Sequence, residues 1–250
     1  MPVHRLTEMT WTDVRDSDRA RSVAILPVGA VEAHGPHLPI GTDVVIAEAM
    51  ASSCAEQLAV DGSTVFLLPP LWYTATGFAS TFPGTVGVDP RTVTDLIRQI
   101  SASLEEHQIT TLAIANAHLD PAHLGSLRDA VEAPPTGGRI VFLDLTHREV
   151  AARLTDEFRT GACHAGRFEG SVVLAETPDL FRREIAEGLA PNPASLATAI
   201  REGIDNFTDA GGPDAYFGWP AEATAEEGRE TVRTLGTLLA AAIRSAWEEA

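Results

Sequence analysis

Two carboxylic acids and two histidines lie close together in the turn-rich segment AVEAHGPHLPIGTD, residues 30–43. Carboxylate oxygens and imidazole nitrogens are the ligands that hold divalent zinc, manganese or iron in proteins. The segment therefore predicts a metal site. One of the histidines lies between a proline and a leucine, and we interpret it as a packing residue behind the site. The four residues are Glu32, His34, His37 and Asp43, and the packing histidine is His37.

His118 and Asp120 supply a second pair of candidate ligands. They follow a short apolar run at residues 111–115, just as the first segment follows the run at residues 23–28. Both runs have the length and apolar content of buried strands. The carboxyl ends of parallel strands lie at one edge of a sheet, so the candidates would meet there. With Asp43 as a bridging carboxylate they would hold a pair of metal ions.

Each aspartate also has a purely structural interpretation. An aspartate directly before a helix is a common N-cap, and Asp120 before Pro121 has the stronger cap signature. The same pattern occurs at Asp89 and Pro90, with no histidine nearby. Capping statistics therefore favour a structural role for Asp120. For Asp43, the neighbouring glutamate and histidine favour a ligand role.

A candidate pair for proton transfer follows later in the chain. The segment HAGRFEGS, residues 164–171, places His164 and Glu169 on either side of a small-residue turn that opens a predicted helix. A histidine oriented by a carboxylate can donate a proton to a leaving nitrogen near neutral pH. The pair gains significance from the metal segment that precedes it.

The elements that must position these residues alternate between strand and helix, which is typical of a domain built from β-α-β units. A polar initial helix is predicted over residues 6–22. The irregular passage over residues 69–85 is too long for a simple connection and is predicted to be functional. No repeat or linker divides the sequence, so residues 1–250 are predicted to form one domain. Strands are predicted at 22–28, 64–68, 111–115 and 140–145, and helices at 44–58, 90–107, 121–131 and 223–247.

Acidic residues outnumber basic residues by 35 to 18, which gives the chain a formal charge of −17. This excess excludes electrostatic attraction to nucleic acid or to an anionic membrane. No segment is apolar for long enough to span a bilayer or to serve as a signal peptide. The two cysteines, Cys54 and Cys163, are too few for a disulfide framework. We therefore expect a cytoplasmic protein without a nucleic-acid or membrane partner.

The segment GAVEAHGPHLPIGTD, residues 29–43, resembles the signature of the creatininase family of metal-dependent amidohydrolases almost residue for residue. Three other segments resemble further blocks of that family, so the similarity extends over nearly the whole chain. These blocks are FPGT at residues 82–85, HAGRFEGS at residues 164–171 and YFGWPAEATAEEG at residues 216–228.

The resemblance implies a three-layer α/β/α sandwich with a mostly parallel central sheet, often assembled as a hexamer. It also implies a site for two zinc or manganese ions, with iron as a third candidate by ligand chemistry. In the implied site Glu32 and His118 ligate one metal, His34 and Asp120 ligate the other, and Asp43 bridges the two. His164 would be the catalytic acid, with Glu169 in the same site.

Two blocks depart from the family pattern. Many relatives have NGHGGN where this chain has NAHLDP at residues 116–121, and Asp120 stands where creatininase itself has a glutamate. Because aspartate is one methylene shorter, the second metal is expected to be held differently or with the help of Glu169. In the third block Arg167 and Gly170 replace the usual acidic and threonine residues. The substrate-contacting surface has therefore changed, and creatinine is not assumed.

The expected activity is hydrolysis of a small amide, lactam or formamide by a metal-activated water, with His164 protonating the departing nitrogen. Four aromatic residues are candidates to wall the substrate pocket, namely Trp72, Tyr73 and Phe78 in the irregular passage and Trp219 near the C-terminal block. Other functions stay open, namely a peptide-trimming enzyme or a deformylase of a cofactor-biosynthesis pathway, and a non-catalytic, metal-stabilised assembly protein. The predicted helix over residues 223–247 has an apolar stripe that suits the core or a homo-oligomer interface.

Overall fold

The computed structural model describes residues 3–134 and 137–249. Within those ranges the chain forms a five-stranded parallel sheet with helices on both faces. The strands are β1 (His4–Arg5), β2 (Ser22–Val28), β3 (Thr64–Leu67), β4 (Thr111–Asn116) and β5 (Arg139–Phe142), in the spatial order β1-β3-β2-β4-β5. The helices are α1 (Trp11–Asp16), α2 (Thr42–Val60), α3 (Pro90–Glu106), α4 (Pro121–Glu132), α5 (Arg148–Ala151), α6 (Asp156–Thr160), α7 (Arg167–Glu176), α8 (Arg183–Gly188), α9 (Leu196–Arg201) and α10 (Ala225–Glu248).

The central strand β2 is buried along its whole length, because helices cover both of its faces. Val23 and Ile25 pack into the core on one face of the sheet, and Ala24 and Leu26 pack into the core on the other. Successive side chains of a strand point to opposite faces, and a strand covered on both sides is apolar throughout. The predicted three-layer α/β/α sandwich is confirmed.

One helical layer consists of α2, α7 and α10, and the opposite layer consists of α3 and α4. The apolar stripe of α10 is buried in the core through Leu235, Leu239 and Ile243. Two glycines let α10 approach its neighbours closely, because a Cβ atom at Gly236 would overlap Ser53 on α2. A Cβ atom at Gly228 would likewise overlap the backbone of α7. None of the helices in the described ranges has the length and apolar content needed to cross a bilayer.

The N-terminal segment differs from its prediction as one helix over residues 6–22. It contains the edge strand β1, a 3-10 turn (Leu6–Glu8) and the short helix α1. The reason is a capping box at Thr10, whose hydroxyl accepts a hydrogen bond from the backbone N–H of Asp13 while the Asp13 carboxylate accepts one from Thr10. This arrangement fixes a helix start at residue 11. The residues before it are free to pair with β3.

The irregular passage after β3 returns to the carboxyl end of β2. Leu71 pairs with Val28 in a parallel bridge, and Val86 pairs with Val31 in an antiparallel bridge. The passage therefore lies beside the segment that carries the candidate ligands. This is the edge where ligands bind in open α/β sheets.

Candidate metal centre

Glu32 and His34 lie just beyond β2, and both side chains are buried. The Nδ1 atom of His34 lies 3.1 Å from the backbone carbonyl oxygen of Glu32 and donates its proton there. This bond leaves Nε2 as the free ligand atom of the imidazole. The hydroxyl of Thr76, in the irregular passage, donates to Oε2 of Glu32. Thr76 therefore orients the carboxylate, a role that the sequence did not reveal.

Asp43 lies in the first turn of α2, but its carboxylate does not cap that helix. The N-cap is Gly41, which makes no side-chain cap bond. Instead, Oδ1 of Asp43 lies 3.2 Å from Nε2 of His34, and Oδ2 lies 3.0 Å from Nδ1 of His118. The carboxylate thus stands between the two histidines, as a bridging ligand would.

His118 follows β4 and faces the same point from the opposite side. Its Nε2 atom lies 2.9 Å from the backbone carbonyl oxygen of Ala75 and donates to it, so Nδ1 faces the centre. Nδ1 is 3.4 Å from Oε1 of Glu32. Behind it, the buried ring of His123 lies 5.0 Å from the His118 ring, and its Nε2 is 2.9 Å from Oδ1 of Asn116. Sequence reasoning missed His123, because α4 brings it to the site only in the folded chain.

Glu169 enters the centre from the first turn of α7. Its Oε2 atom accepts a hydrogen bond from the backbone N–H of Ala165 at 2.6 Å. The same oxygen lies 3.5 Å from Nε2 of His34. The turn that makes this possible has Ala165 at φ = 51°, in the left-handed region that non-glycine residues rarely adopt.

In the described part of the chain, three sets of three ligand atoms lie close enough together to hold a metal ion. Within each set all ligand atoms are within 4.8 Å of one another, and every residue involved is buried. Asp43 is shared between two of the sets, and these two would place two ions side by side. The sets are Glu32 with Asp43 and His118, His34 with Asp43 and Glu169, and Glu32 with His34 and His164.

Asp120 is held by backbone N–H groups and belongs to none of these described sets. It is the N-cap of α4, where Oδ1 accepts from the N–H groups of Ala122 and His123. Oδ2 accepts from Gly77 at 2.8 Å and from Phe78 at 3.1 Å. The carboxylate therefore fastens the irregular passage to the start of α4, and it also lines the cavity described below.

His164 lies in the turn before α7 and faces the centre with one nitrogen. Nε2 lies 3.0 Å from the carbonyl oxygen of Ala33 and donates to it. Nδ1 is 3.8 Å from Oε1 of Glu32. The ring stacks between those of His34 and Phe207, with centroid distances of 4.3 and 4.2 Å. These contacts fix the direction of the Nδ1 lone pair.

Charge is distributed unevenly among the histidines. Burial opposes the charge of His34, but the carboxylates of Asp43 and Glu169 outweigh it and raise its pKa to about 10. Burial and the nearby positive charge of His34 lower the pKa of His164 to about 4. Burial also raises the pKa of Glu169 to about 8. His37 is enclosed by the rings of Phe181 and Tyr216, as expected for a packing histidine, and burial lowers its pKa to about 4.

A cavity of about 260 Å³ opens from the centre towards solvent. Its inner end is formed by candidate ligands, and most of its wall is apolar. Of the aromatic residues in the irregular passage, Phe78 lines the cavity. Trp72 and Tyr73 do not, and they are exposed on the surface. Trp219 does not line the cavity either. The apolar wall includes Leu119, Phe158, Leu196, Ile200 and Phe207.

A buried glutamate, Glu157, holds the segments that carry His164 and Glu169. Oε1 accepts from the backbone N–H groups of Arg167 and Trp219, both at 2.8 Å, and Oε2 accepts from Phe168 at 2.5 Å. The start of α7 is thereby tied to α6 and to the segment around Trp219. No sequence signal marked Glu157, because its partners are backbone groups of distant segments.

The sequence profile of the creatininase family, described as creatinine amidohydrolase, matches residues 7–243. The chain belongs to the creatininase family. It is 31% identical over 212 residues to the mycofactocin precursor peptide peptidase of Mycobacterium tuberculosis, which covers 82% of this chain and 78% of that protein. It is 29% identical over 191 residues to the creatinine amidohydrolase of Pseudomonas putida, which covers 69% and 72% of the two chains. A solved mutant creatininase of Zn-Zn type has the same fold, with a TM-score of 0.75, 24% identity and coverage of 98% and 99%.

Family membership makes this chain a hydrolase of carbon-nitrogen bonds. One of the two relatives is named for a precursor peptide and the other for creatinine. The buried ligand sets lie on the creatininase-like segments of residues 29–43 and 164–171 and on His118. Family and geometry therefore point to the same edge of the sheet.

Proposed function

We propose that this creatininase-family protein is a metal-dependent peptidase that releases a short apolar segment from the end of a peptide. The observation that carries the proposal is the juxtaposition of the buried ligand sets with an apolar-walled cavity. An apolar wall suits amino-acid side chains better than a small polar heterocycle. The similarity to a precursor peptide peptidase supports the same substrate class.

Two buried polar atoms of the centre fit the binding of divalent metal ions. Nε2 of His34 and Oδ2 of Asp43 are buried, and no hydrogen bond from a described residue reaches either atom. Unsatisfied buried polar atoms are costly. Cations between the ligand sets would satisfy both. The Zn-Zn form of the solved creatininase motivates zinc as the first metal to test, with manganese and iron as alternatives.

We assign Glu32, Asp43 and His118 to one metal ion. We assign His34, Asp43 and Glu169 to the other, so that Glu169 takes the place expected for Asp120. Both oxygens of Asp120 already accept hydrogen bonds from backbone N–H groups, whereas an oxygen of Glu169 lies 3.5 Å from Nε2 of His34. This assignment stays a prediction.

When bound, divalent cations would lower the pKa of a water from about 15.7 towards roughly 7 and polarise the substrate carbonyl. His164 is neutral at pH 7, with its proton on Nε2 and its Nδ1 lone pair towards the centre. It can therefore accept a proton from the attacking water at Nδ1. The imidazolium so formed then passes that proton to the leaving nitrogen. Hydrolysis consumes one water and yields a carboxylic acid and an amine.

A second candidate activity is hydrolysis of a small amide or lactam, because the Pseudomonas putida relative is a creatinine amidohydrolase. The cavity volume would admit such a molecule. The non-catalytic assembly protein is disfavoured, because the chain belongs to a family of hydrolases. That hypothesis also required Asp120 to be only a helix cap and the second metal to be missing, whereas in our assignment Glu169 would complete the second metal set.

The deciding experiment offers zinc-loaded protein a set of short peptides, creatinine, simple lactams and formamides, and detects the products by mass spectrometry. We expect shortened peptides and close to two metal ions per chain by inductively coupled plasma analysis. Turnover of lactams alone would transfer the function to small amides. Absence of metal from protein purified without chelator would refute the metal-dependent mechanism.

We further propose a cytoplasmic homo-oligomer, with a hexamer as the first hypothesis. Exposed apolar side chains of the metal segment and of the irregular passage beside it are candidates for a subunit interface. Both cysteines are free, which suits a reducing compartment, and the charge of −17 disfavours nucleic acid. A monomeric mass by light scattering at micromolar concentrations would refute the oligomer. The exposed residues are Ile40, Trp72, Tyr73 and Val86.

A further inference from the structure

Among the described residues that line the cavity, one has a permanently charged, cationic side chain. This is Arg159, in the last turn of α6. The ligand residues at the inner end are buried, whereas Arg159 is exposed, so Arg159 marks the end at which the cavity meets solvent. Leu196 and Ile200 line the same cavity from α9. The cavity therefore has a metal-binding end, an apolar wall and a cationic rim.

The guanidinium of Arg159 has N–H donors that bind no described residue. Its Nη1 donates to the backbone carbonyl oxygen of Leu154 at 2.9 Å, and that is its one hydrogen bond to a described residue. It forms no ion pair within the described ranges, whereas Arg128 and Arg167 bind carboxylates of the protein. The bond to Leu154 holds the side chain in place and leaves Nε and Nη2 available.

Two adjacent guanidinium N–H groups match the two oxygens of a carboxylate, and such paired bonds are among the stronger hydrogen bonds in proteins. A carboxylate would be repelled by the acidic residues at the inner end of the cavity unless cations neutralise them. At the rim it would meet a fixed positive charge. The chain as a whole carries a charge of −17, so a local cation is needed to attract an anionic group.

We infer that Arg159 binds the terminal carboxylate of a peptide whose last residues are apolar, so that the enzyme removes a short C-terminal segment. The inference rests on the proposed peptidase function and names its substrate class. The volume of about 260 Å³ lies just below the roughly 300–1,000 Å³ of drug-sized sites, which suits one or two residues beyond the cleaved bond. Arg159 acts on specificity and does not touch the reacting atoms.

The test compares two peptides that differ only at the terminus, Ala-Gly-Leu-Phe with a free carboxylate and the same peptide with a terminal amide. Zinc-loaded wild-type protein should prefer the free acid in kcat/KM by roughly 10- to 100-fold, the effect of hydrogen bonds to a charged group. Arg159→Met should abolish that preference, mainly through KM, and Arg159→Lys should keep part of it. Arg153→Met is the matched control, because Arg153 is exposed, lies six residues earlier and does not line the cavity. It should keep the full preference.

Binding of both peptides by calorimetry separates this inference from the proposed function. If wild-type protein cleaves neither peptide but binds the acid more tightly than the amide, and Arg159→Met loses the difference, the peptidase proposal fails and the role of Arg159 stands. A preference that survives in Arg159→Met would place the carboxylate on the metal ions and overturn the inference. Equal binding of acid and amide by the wild type, including no binding of either, would also overturn it.

Discussion

Replacing Gly218 by alanine tests the contact that holds the His164 turn and the start of α7 together. Gly218 has φ = 77°, and a Cβ atom there would overlap Oε1 of Glu157 and the carbonyl oxygen of Ala162. Neither oxygen atom can move away from the added methyl group without breaking other contacts. The Ala162 oxygen belongs to the backbone, and the Glu157 carboxylate is fixed by three backbone N–H groups.

The expected cost has two parts. A non-glycine residue in the left-handed region costs about 1–2 kcal/mol. Displacing the Glu157 carboxylate breaks at least one buried hydrogen bond to a charged group, which costs roughly 1.5–3 kcal/mol more. The matched control is Gly62→Ala. Gly62 has φ = 80°, and a Cβ atom added there would meet no neighbouring atom within 4 Å. That variant should carry only the left-handed cost.

Urea unfolding of the metal-free protein measures the difference in stability between the two variants. The midpoints are compared on condition that the two unfolding transitions have equal m-values. Gly218→Ala should be less stable than Gly62→Ala by roughly 1.5–3 kcal/mol. It should also bind zinc more weakly, because Glu169 lies on the displaced helix and the N–H of Phe217 donates to the carbonyl oxygen of His164 at 2.8 Å. Two variants of equal stability and equal zinc affinity would show that Glu157 does not control the position of α7.

Three further outcomes are expected. Asp43→Ala should lose both metal ions by plasma analysis, since its carboxylate belongs to two ligand sets; full metal content would remove Asp43 from the site. His164→Asn should keep its metal while kcat falls by roughly 10²–10⁴, the contribution of a general acid-base group, and loss of one metal equivalent would make His164 a ligand. Because burial raises the pKa of Glu169 to about 8, the folded metal-free protein holds a proton that the unfolded chain releases near pH 4.5. The stability of wild type relative to Glu169→Gln should therefore fall from pH 5 to pH 8 in urea unfolding, and an unchanged difference would contradict the shift.

The sequence predicted the parts of the site that depend on strands. The apolar run of β2 was predicted with its observed bounds, Ser22–Val28. The convergence of His118 with the segment around Asp43 follows from a general rule, because parallel strands end at one edge. Local composition carries this information, so a single sequence is enough.

The parts that depend on turns and docking could not be predicted in the same way. The sequence suggests both a cap and a ligand role for Asp120, and its partners at Gly77 and Phe78 come from a passage without periodicity. The distance between Glu169 and His34 depends on the left-handed turn at Ala165. Arg159 and the buried Glu157 have no motif at all, because their surroundings form only when α6 packs against later segments.

The close contacts of α10 have a consequence for the time at which the site is completed. The candidate ligands occur between residues 32 and 169, but Gly228 and Gly236 set how near α10 lies to α7 and α2, which carry Glu169 and Asp43. A nascent chain that has exposed every ligand but not yet α10 therefore lacks the helix that spaces the two sides of the second metal set. Metal should be acquired after α10 has left the ribosome and packed against α2 and α7. Chains stalled before residue 225 should bind fewer zinc ions than chains that contain α10. Equal zinc binding would show that α2 and α7 reach their native spacing without α10.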